Sequence, residues 1–334
     1  MIYNKSILFN RFKKIMKILV TGTAGFIGFS MSLRLLKKKY SVVGIDNLDK
    51  YYSIRIKKKR LKVLNKFKNF KFIKLDLSKA KQHSKLSNYK FDYIFHFAAQ
   101  PGVRYSLLNP EKYYENNVKA YNYLIENINK KNIKKIIYAS SSSVYGDQKS
   151  FPTNETAYLN AKNPYAISKV INEKISEIYS SIYNINFIGL RFFTAYGEWG
   201  RPDMFIIKLL NSIYKKKVFY LNNKGNHYRD FTYIGDIVST CEKLLYYKSN
   251  SKNEIFNICA GQKVNIKILL YQIVKQFPKA KIKMIKANKA DVYQTFGSNK
   301  KIVKSLKLKK FINIKKGLEK TITWYKKNKI YKYF

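Results

Sequence analysis

The stretch KILVTGTAGFIG at residues 17–28 decides the fold of this 334-residue chain. Its first five residues are mostly apolar and predict a strand, and glycines follow at Gly22, Gly25 and Gly28 before a helical segment. Glycines in such a turn let the backbone approach a diphosphate, which the unpaired N–H groups at the helix N-terminus attract. The stretch therefore predicts the first strand, turn and helix of a nucleotide-binding domain.

Acidic residues follow the next two predicted strands. The apolar run SVVGI at 41–45 ends at Asp46, where a carboxylate can accept hydrogen bonds from both ribose hydroxyls of NAD and would repel the 2′-phosphate of NADP. We therefore expect NAD as the cofactor. A third strand at 70–74 ends at Asp76 and Leu77, where an acid and a backbone amide can meet the adenine, although Asp76 equally fits a turn.

Strands and helices continue to alternate as far as residue 190. Further strands are predicted at 91–97, 135–139 and 186–190, and the segment 229–234 reads as a strand that returns toward the sheet. This alternation predicts an α/β fold, a doubly wound parallel Rossmann sheet with a smaller C-terminal substrate-binding lobe. The expected parts are a tail at 1–15, a Rossmann domain at 16–190 that also takes back about 226–256, and a lobe made of 191–225 and 257–330.

Composition narrows the classes of function. The chain has 67 Lys and Arg against 19 Asp and Glu, a net charge of +48, but these basic residues are spread through almost every segment. A dispersed excess without a recognition motif predicts no specific nucleic-acid binding. No apolar run reaches the ~20 residues of a membrane span. The two cysteines lack metal-like spacing, so we expect no metal site and a reducing, cytoplasmic location.

The first fifteen residues are basic and partly amphipathic, without the apolar core of a secretory signal. We interpret them as a frayed tail or as the product of a start codon upstream of Met16. Weak association with an anionic surface is the alternative.

A second stretch, NPYAISK at 163–169, places Tyr165 and Lys169 four residues apart. On a helix this spacing puts the phenol and the ammonium on one face. The positive charge favours a phenolate, so the pair can act as a base although free Tyr titrates near ~10. The serines at 140–143 follow the fifth strand and either face the ligand crevice or form a polar loop. His96, which ends the fourth strand, is interpreted as a hydrogen-bonded core residue rather than a base.

In this order the motifs resemble the extended short-chain dehydrogenases that act on nucleotide sugars, and in particular the UDP-glucuronate 4-epimerases. The resemblance covers residues 16 to about 325. The matching stretches are DNLDKYY (46–52), HFAAQPGVRYS (96–106), YASSSSVYG (138–146), NPYAISK (163–169), RFFTAYGEWGRPDM (191–204) and RDFTYI (229–234).

The resemblance implies catalytic and cofactor residues. Tyr165 would be the base, Lys169 would lower its pKa and hold the nicotinamide ribose, and Ser141 would hydrogen-bond the sugar hydroxyl that is oxidised. The NAD site would be formed by Gly22, Gly25, Phe26, Ile27, Gly28, Asp46, Asn47, Asp76, Leu77, Phe97, Ala98, Ala99, Asn117, Tyr165, Lys169 and Phe192.

The resemblance also implies the reaction, the 4-epimerisation of UDP-glucuronate to UDP-galacturonate through a transient 4-keto intermediate. Ser142, Ser143 and Thr194 would offer hydroxyls to the C6 carboxylate, and Arg201 a planar positive charge. The other substrate-binding residues would be Arg229 at the diphosphate, Asp291 near the nucleoside, and Arg104, which could instead join an internal ion pair. Family members usually carry Gly before this Asp, whereas this chain has Ala290.

Other activities remain as alternatives. A 4,6-dehydratase would carry an Asp-Glu pair where Ser142 and Ser143 stand, and a decarboxylase would carry a Glu in this region, so both are disfavoured. UDP-glucose 4-epimerase is the nearest rival, although its sites usually have Asn at the place of Thr194. The alternative from another class is a basic RNA-binding scaffold on the same fold. The resemblance further implies a homodimer formed by the helix around 113–129 and the helix that carries Tyr165.

Overall fold

A parallel seven-stranded sheet forms the centre of the molecule. The computed structural model describes residues 16–286 and 292–334. The strands are β1 Lys17–Thr21, β2 Ser41–Asp46, β3 Phe70–Lys74, β4 Tyr93–His96, β5 Lys135–Ser141, β6 Asn186–Phe192, β7 Thr194–Tyr196, β8 Phe219–Leu221, β9 Tyr228–Arg229, β10 Phe231–Tyr233, β11 Asn253–Ile258, β12 Val264–Asn265 and β13 Ile282–Met284. The order in the large sheet is β11-β6-β5-β4-β1-β2-β3, and every neighbouring pair is parallel.

Helices cover both faces of this sheet. One apolar core packs α1 (Phe26–Lys37), α2 (Ile54–Leu64) and α8 (Ile234–Lys243) on one face, and a second packs α5 (Ala120–Asn127) on the other. The predicted doubly wound fold is therefore confirmed. The helices are α1 Phe26–Lys37, α2 Ile54–Leu64, α3 Val103–Leu108, α4 Pro110–Tyr113, α5 Ala120–Asn127, α6 Pro164–Tyr183, α7 Phe205–Tyr214, α8 Ile234–Lys243, α9 Ile266–Val274, α10 Lys300–Leu306 and α11 Ile314–Lys327.

The strand order creates a crevice between β1 and β4. From β1 the chain moves outward in one direction through β2 and β3, and then returns to build β4, β5 and β6 on the other side. In open parallel sheets, ligands bind at the carboxyl ends of the strands where the order reverses. The turn after β1 and the loop after β4 meet at this point, so the fold brings the glycine turn to a ligand crevice.

One predicted strand was wrong. The segment 229–234 does not return to the central sheet, because it is divided between β9 and β10, and β10 pairs with β7 in a separate two-stranded sheet. Between the two strands the buried Asp230 carboxylate accepts hydrogen bonds from the amides of Ala260 at 2.9 Å and Gly261 at 3.1 Å. Such side-chain bonds compete with the ladder bonds of a continuous strand. The strand that returns is β11, which pairs with β6.

Strand β6 continues to Phe192, beyond the predicted end at 190, because its pairing with β11 continues to the bridge between Ile258 and Phe192. The division into domains at 190 stays a prediction, and the tail at 1–15 lies outside the described residues. In the part of the chain that the structure describes, no helix combines the length and apolar character needed to cross a bilayer.

Candidate active site

A cleft of about 770 Å³ opens at the carboxyl ends of the central strands. It runs from the glycine turn after β1, past the ends of β2, β4 and β5 and the start of α6, to the segment that follows β6. Nearly all the residues implied for cofactor and substrate lie on its wall. These are Gly22, Gly25, Phe26, Ile27, Gly28, Asp46, Asn47, Asp76, Leu77, Phe97, Ala98, Ala99, Ser141, Ser142, Ser143, Tyr165, Lys169, Phe192, Thr194, Arg201 and Arg229.

The glycine turn leaves no room for side chains. Gly22 has φ +69°, and a Cβ there would lie 2.8 Å from the amide nitrogen of Ala98. A Cβ on Gly28 would lie 2.1 Å from the carbonyl oxygen of Gly22. Helix α1 starts at this turn with no acidic residue in its first turn and no side chain that caps its N–H groups. The turn thus fits the diphosphate of a dinucleotide, which these N–H groups and the helix dipole attract.

Asp46 lines the cleft beside the glycine turn. Its carboxylate accepts hydrogen bonds from the amide of Ala24 at 3.1 Å and from the amide of Leu48 at 2.8 Å. Burial raises the pKa of Asp46, while the charge of Lys57 and these amides oppose the rise. The side chain is therefore fixed beside the glycine turn, where a carboxylate suits ribose hydroxyls.

Asp76 forms a turn and lines the cleft, and its contact with the adenine stays a prediction. Its carboxylate accepts hydrogen bonds from the amide and hydroxyl of Ser78, at 3.0 and 2.7 Å, as in a turn. Its other oxygen lies 3.4 Å from the side-chain nitrogen Nδ2 of Asn47, and both residues line the cleft. Asp76 thus orders a turn and also borders the cavity.

The Ser141 hydroxyl and the pair of Tyr165 and Lys169 lie on two neighbouring elements of the fold. Ser141 ends β5, and helix α6 begins at Pro164 with Asn163 as its N-cap, whose side-chain oxygen accepts from the amide of Ala166 at 2.9 Å. This cap fixes the start of α6, so that Tyr165 and Lys169 face the cleft one turn apart.

Burial raises the pKa of Tyr165, and a hydrogen bond with Ser141 and the charge of Arg201 oppose the rise. Burial lowers the pKa of Lys169 to about 8, and Glu173 opposes that effect. Lys169 was expected to lower the pKa of Tyr165. Its ammonium donates to the carbonyl of Ala139 at 2.9 Å, and Ser141 and Arg201 favour the phenolate of Tyr165. The effect of Lys169 on the pKa of Tyr165 stays a prediction.

We call the part of the cleft at Ser142, Ser143, Thr194 and Arg201 the sugar end, because the resemblance implies that the sugar binds there. Ser142 and Ser143 begin a short 3₁₀ turn after β5, and Thr194 begins β7. Arg201 donates two hydrogen bonds to Asp203, at 3.0 and 2.5 Å. Burial opposes ionisation of Asp203, yet Arg201 holds the pKa of this acid below its usual value. Sequence reasoning missed Asp203, although its position two residues after Arg201 in the matching stretch was a visible signal.

Two implied residues, Asn117 and Arg104, do not line the cleft. Asn117 is fully buried behind it, where its side chain accepts from the amide of Gln100 at 2.7 Å and donates to the hydroxyl of Ser168 at 2.9 Å. The Arg104 guanidinium lies 2.9 and 3.1 Å from the side-chain oxygen of Asn222 when that amide is oriented to accept. Asp291 lies outside the described residues.

His96 is a core residue, as expected. It is 1% exposed, its Nδ1 lies 3.0 Å from the Thr21 hydroxyl, and its ring stacks on Tyr121 with 4.8 Å between centroids. Burial lowers the pKa of His96 to about 3, so the ring is neutral near pH 7.

Comparison with known proteins identifies the family. The model of the NAD dependent epimerase/dehydratase family matches residues 18–259. The chain belongs to this family. Its cofactor is accordingly NAD, and the resemblance inferred from the motifs is confirmed.

Individual relatives define the activity further. A UDP-glucuronate 4-epimerase of Thermodesulfobacterium geofontis is 35% identical over 318 residues, which cover 93% of this chain and 96% of the relative. The crystal structure of UDP-glucuronic acid 4-epimerase from Bacillus cereus, with UDP-glucuronic acid and NAD, is 30% identical with a TM-score of 0.85, covering 94% of this chain and all of the other. A UDP-glucose 4-epimerase of Thermotoga maritima is 26% identical with a TM-score of 0.84, covering 94% and 99%. This member of the family is an NAD-dependent nucleotide-sugar 4-epimerase.

Proposed function

We propose that the enzyme interconverts UDP-glucuronate and UDP-galacturonate. The observation that carries this proposal is the group of hydroxyls from Ser142, Ser143 and Thr194 that lines the cleft with the Ser141 and Tyr165 hydroxyls. Uncharged donors of this kind can hold a C6 carboxylate by several hydrogen bonds at once. The named UDP-glucuronate 4-epimerases among the relatives support the same substrate.

The reaction needs a base at the C4 hydroxyl and a reversible hydride acceptor. Bound NAD supplies the hydride acceptor and returns the hydride, so that no external reductant is consumed. Tyr165 removes the hydroxyl proton of C4 and later returns it, while Ser141 hydrogen-bonds the same oxygen and the Tyr165 hydroxyl. Lys169, which donates to the carbonyl of Ala139, would hold the cofactor ribose with its ammonium. Rotation of the 4-keto sugar then exposes its opposite face.

A uronic acid adds a hazard, because its 4-keto form is a β-keto acid that can lose CO2. The proposed hydroxyl contacts hold the carboxylate in place without a direct ion pair. Arg201 is already paired with Asp203, so it brings no unpaired positive charge to the sugar carboxylate. We assign its guanidinium to orienting the sugar. We therefore attribute carboxylate recognition chiefly to Ser142, Ser143 and Thr194.

Turnover in D2O tests both the substrate and the mechanism. Purified enzyme is incubated with UDP-glucuronate and no added reductant, and the products are followed by NMR. We expect UDP-galacturonate that keeps its protium at C4, because the hydride returns from the cofactor. Deuterium at C4 or C5, or a pentose product with loss of CO2, would contradict the proposed reaction.

A second candidate is UDP-glucose 4-epimerase. It is favoured by the likeness to the Thermotoga maritima enzyme and by the pairing of Arg201 with Asp203, which leaves little net charge near C6. Turnover of UDP-glucose in the absence of any reaction with UDP-glucuronate would select it. The RNA-binding alternative requires binding that survives moderate salt, whereas diffuse attraction to phosphates fades as salt rises.

We also propose a homodimer formed through α6 and the helical segment around 113–129. Ile178 and Ile182 on α6 are 60% and 62% exposed, one turn apart, and Tyr114 is 44% exposed. A second copy that packs on this face would bury them. Light scattering should show a dimer, and Ile178→Asp should shift it toward a monomer; a monomeric wild type would contradict this arrangement.

A further inference from the structure

Arg60, near the end of α2, is the charged residue whose surroundings need an explanation. Its side chain is fully buried, at 0% exposed. Within residues 16–286 and 292–334 its guanidinium has no carboxylate at ion-pair distance, and its Nε has no hydrogen-bond partner. Burying a charge without an ion-pair partner is costly unless hydrogen bonds compensate for its lost hydration. The hydrogen bonds of the Arg60 guanidinium contact two separate segments of the chain.

One nitrogen of Arg60 holds the glycine turn. Its Nη1 donates to the carbonyl of Ala24 and to the hydroxyl of Tyr52, both at 2.8 Å. The amide of Ala24 in turn donates to Asp46 at 3.1 Å. The backbone of Ala24, which lies between Gly22 and Gly25, is thus held from both sides. Arg60 and Asp46 together fix the turn that faces the cofactor diphosphate.

The other nitrogen holds the segment that leads into the sugar end of the cleft. Its Nη2 donates to the carbonyl of Trp199 at 2.5 Å and lies 3.4 Å from that of Gly200. Trp199 has φ +62°, a left-handed conformation that is rare for a bulky residue and needs support from its surroundings. The Trp199 ring packs on Phe29 of α1, at 5.0 Å between centroids. Arg201 follows two residues later.

We propose that Arg60 is a positioning residue that couples the NAD site to the sugar site, because one guanidinium holds both the glycine turn and the Trp199–Arg201 segment. A shift of the turn when the cofactor leaves would be transmitted to Arg201. A diphosphate bound at the turn would bring further negative charge toward Arg60, whose charge already interacts with the Asp46 carboxylate. The inference rests on the proposed function only through the role given to Arg201.

The conservative variant Arg60→Lys tests the coupling. Lysine keeps the charge but is a point donor, so it cannot hold both segments as the planar fork does. Arg55→Lys is the matched control, since Arg55 is an exposed residue of the same helix. We expect Arg60→Lys to lower NAD retention on gel filtration about tenfold, and to raise KM for the UDP-sugar by a similar factor with a smaller change in kcat.

A double-mutant cycle with Arg201→Lys shows whether Arg60 acts through Arg201. If it does, Arg60→Lys should have little further effect on KM in the Arg201→Lys background. Additive effects would overturn the coupling. A variant with a lower Tm but unchanged NAD retention and KM would show an ordinary core residue and would also overturn it.

Two precautions keep the result interpretable. Should Arg60→Lys fail to fold, Tyr52→Phe removes one guanidinium contact and is expected to lower NAD retention in the same direction; no change in that folded variant would count against the proposal. Should the wild type not act on UDP-glucuronate, the proposed substrate fails. The coupling is then read from NAD retention and from the same cycle with UDP-glucose.

Discussion

The two ends of the cleft are built by different means. At the cofactor end, close packing of the backbone at Gly22 and Gly28 forms the site. At the sugar end, Ser142 and Ser143 lie in a 3₁₀ turn after β5, and Thr194 begins β7. A change at the first end should therefore affect every sugar equally, whereas a change at the second should alter which sugar is preferred. Apart from the coupling proposed for Arg60, we therefore expect the redox chemistry and the choice of substrate to depend on different residues.

The largest effect is expected where the two ends meet, at Tyr165. Tyr165→Phe removes the proposed base and should lower kcat by about 10³-fold, within the usual range for general base catalysis, while NAD stays bound. Tyr158→Phe is the control, because Tyr158 is 82% exposed. Turnover rates and the nucleotide content of the purified protein are measured together. Wild-type turnover in Tyr165→Phe would remove the base from the mechanism.

At the cofactor end, Gly28→Ala should disrupt NAD binding. The new methyl group would lie 2.1 Å from the carbonyl of Gly22, so the turn must shift. We expect a loss of about 1–3 kcal/mol in the free energy of unfolding and a protein purified without NAD. Ser30→Ala, two positions after Gly28 on the same helix, is the control. A Gly28→Ala protein that keeps its NAD would show that close packing of the backbone does not define this site.

At the sugar end, Thr194→Val should change preference rather than activity in general. Valine has nearly the same shape but lacks the hydroxyl, so kcat/KM for UDP-glucuronate should fall about tenfold while that for UDP-glucose changes little. The exposed Thr156 provides the control variant Thr156→Val. Equal losses for both sugars would mean that Thr194 does not read the carboxylate.

The smallest effect concerns pH. Burial lowers the pKa of Lys169 from 10.5 to about 8, so its ammonium loses its proton just above neutrality. Activity that needs this ammonium should fall as pH rises through about 8. Stability should not fall with it, because between pH 8 and 10.5 the unfolded chain binds more protons at this lysine than the folded one, so this group favours folding more as pH rises.

Parallel measurements of kcat/KM and of the free energy of unfolding from pH 7 to 10 separate the two effects. A loss of activity that tracks unfolding would refute this role for Lys169.

Sequence predicted the cofactor end better than the sugar end for a physical reason. Strand β3, the glycine turn and Asp46 follow from local patterns of apolar residues, glycines and a strand-end acid. Other features arise only from contacts in the folded chain. These are the pairing of Arg201 with Asp203, the burial of Asn117 behind the cleft wall, and the interruption of the predicted strand at Asp230. Arg60 gave no signal either, since its two segments meet only after folding.

The most direct test is a competition in one tube. Equimolar UDP-glucuronate and UDP-glucose are incubated with the purified enzyme, and the two 4-epimers are followed by NMR. We predict that UDP-galacturonate forms at least about tenfold faster than UDP-galactose, as expected for a site that binds the C6 carboxylate of the sugar. Faster formation of UDP-galactose would contradict it.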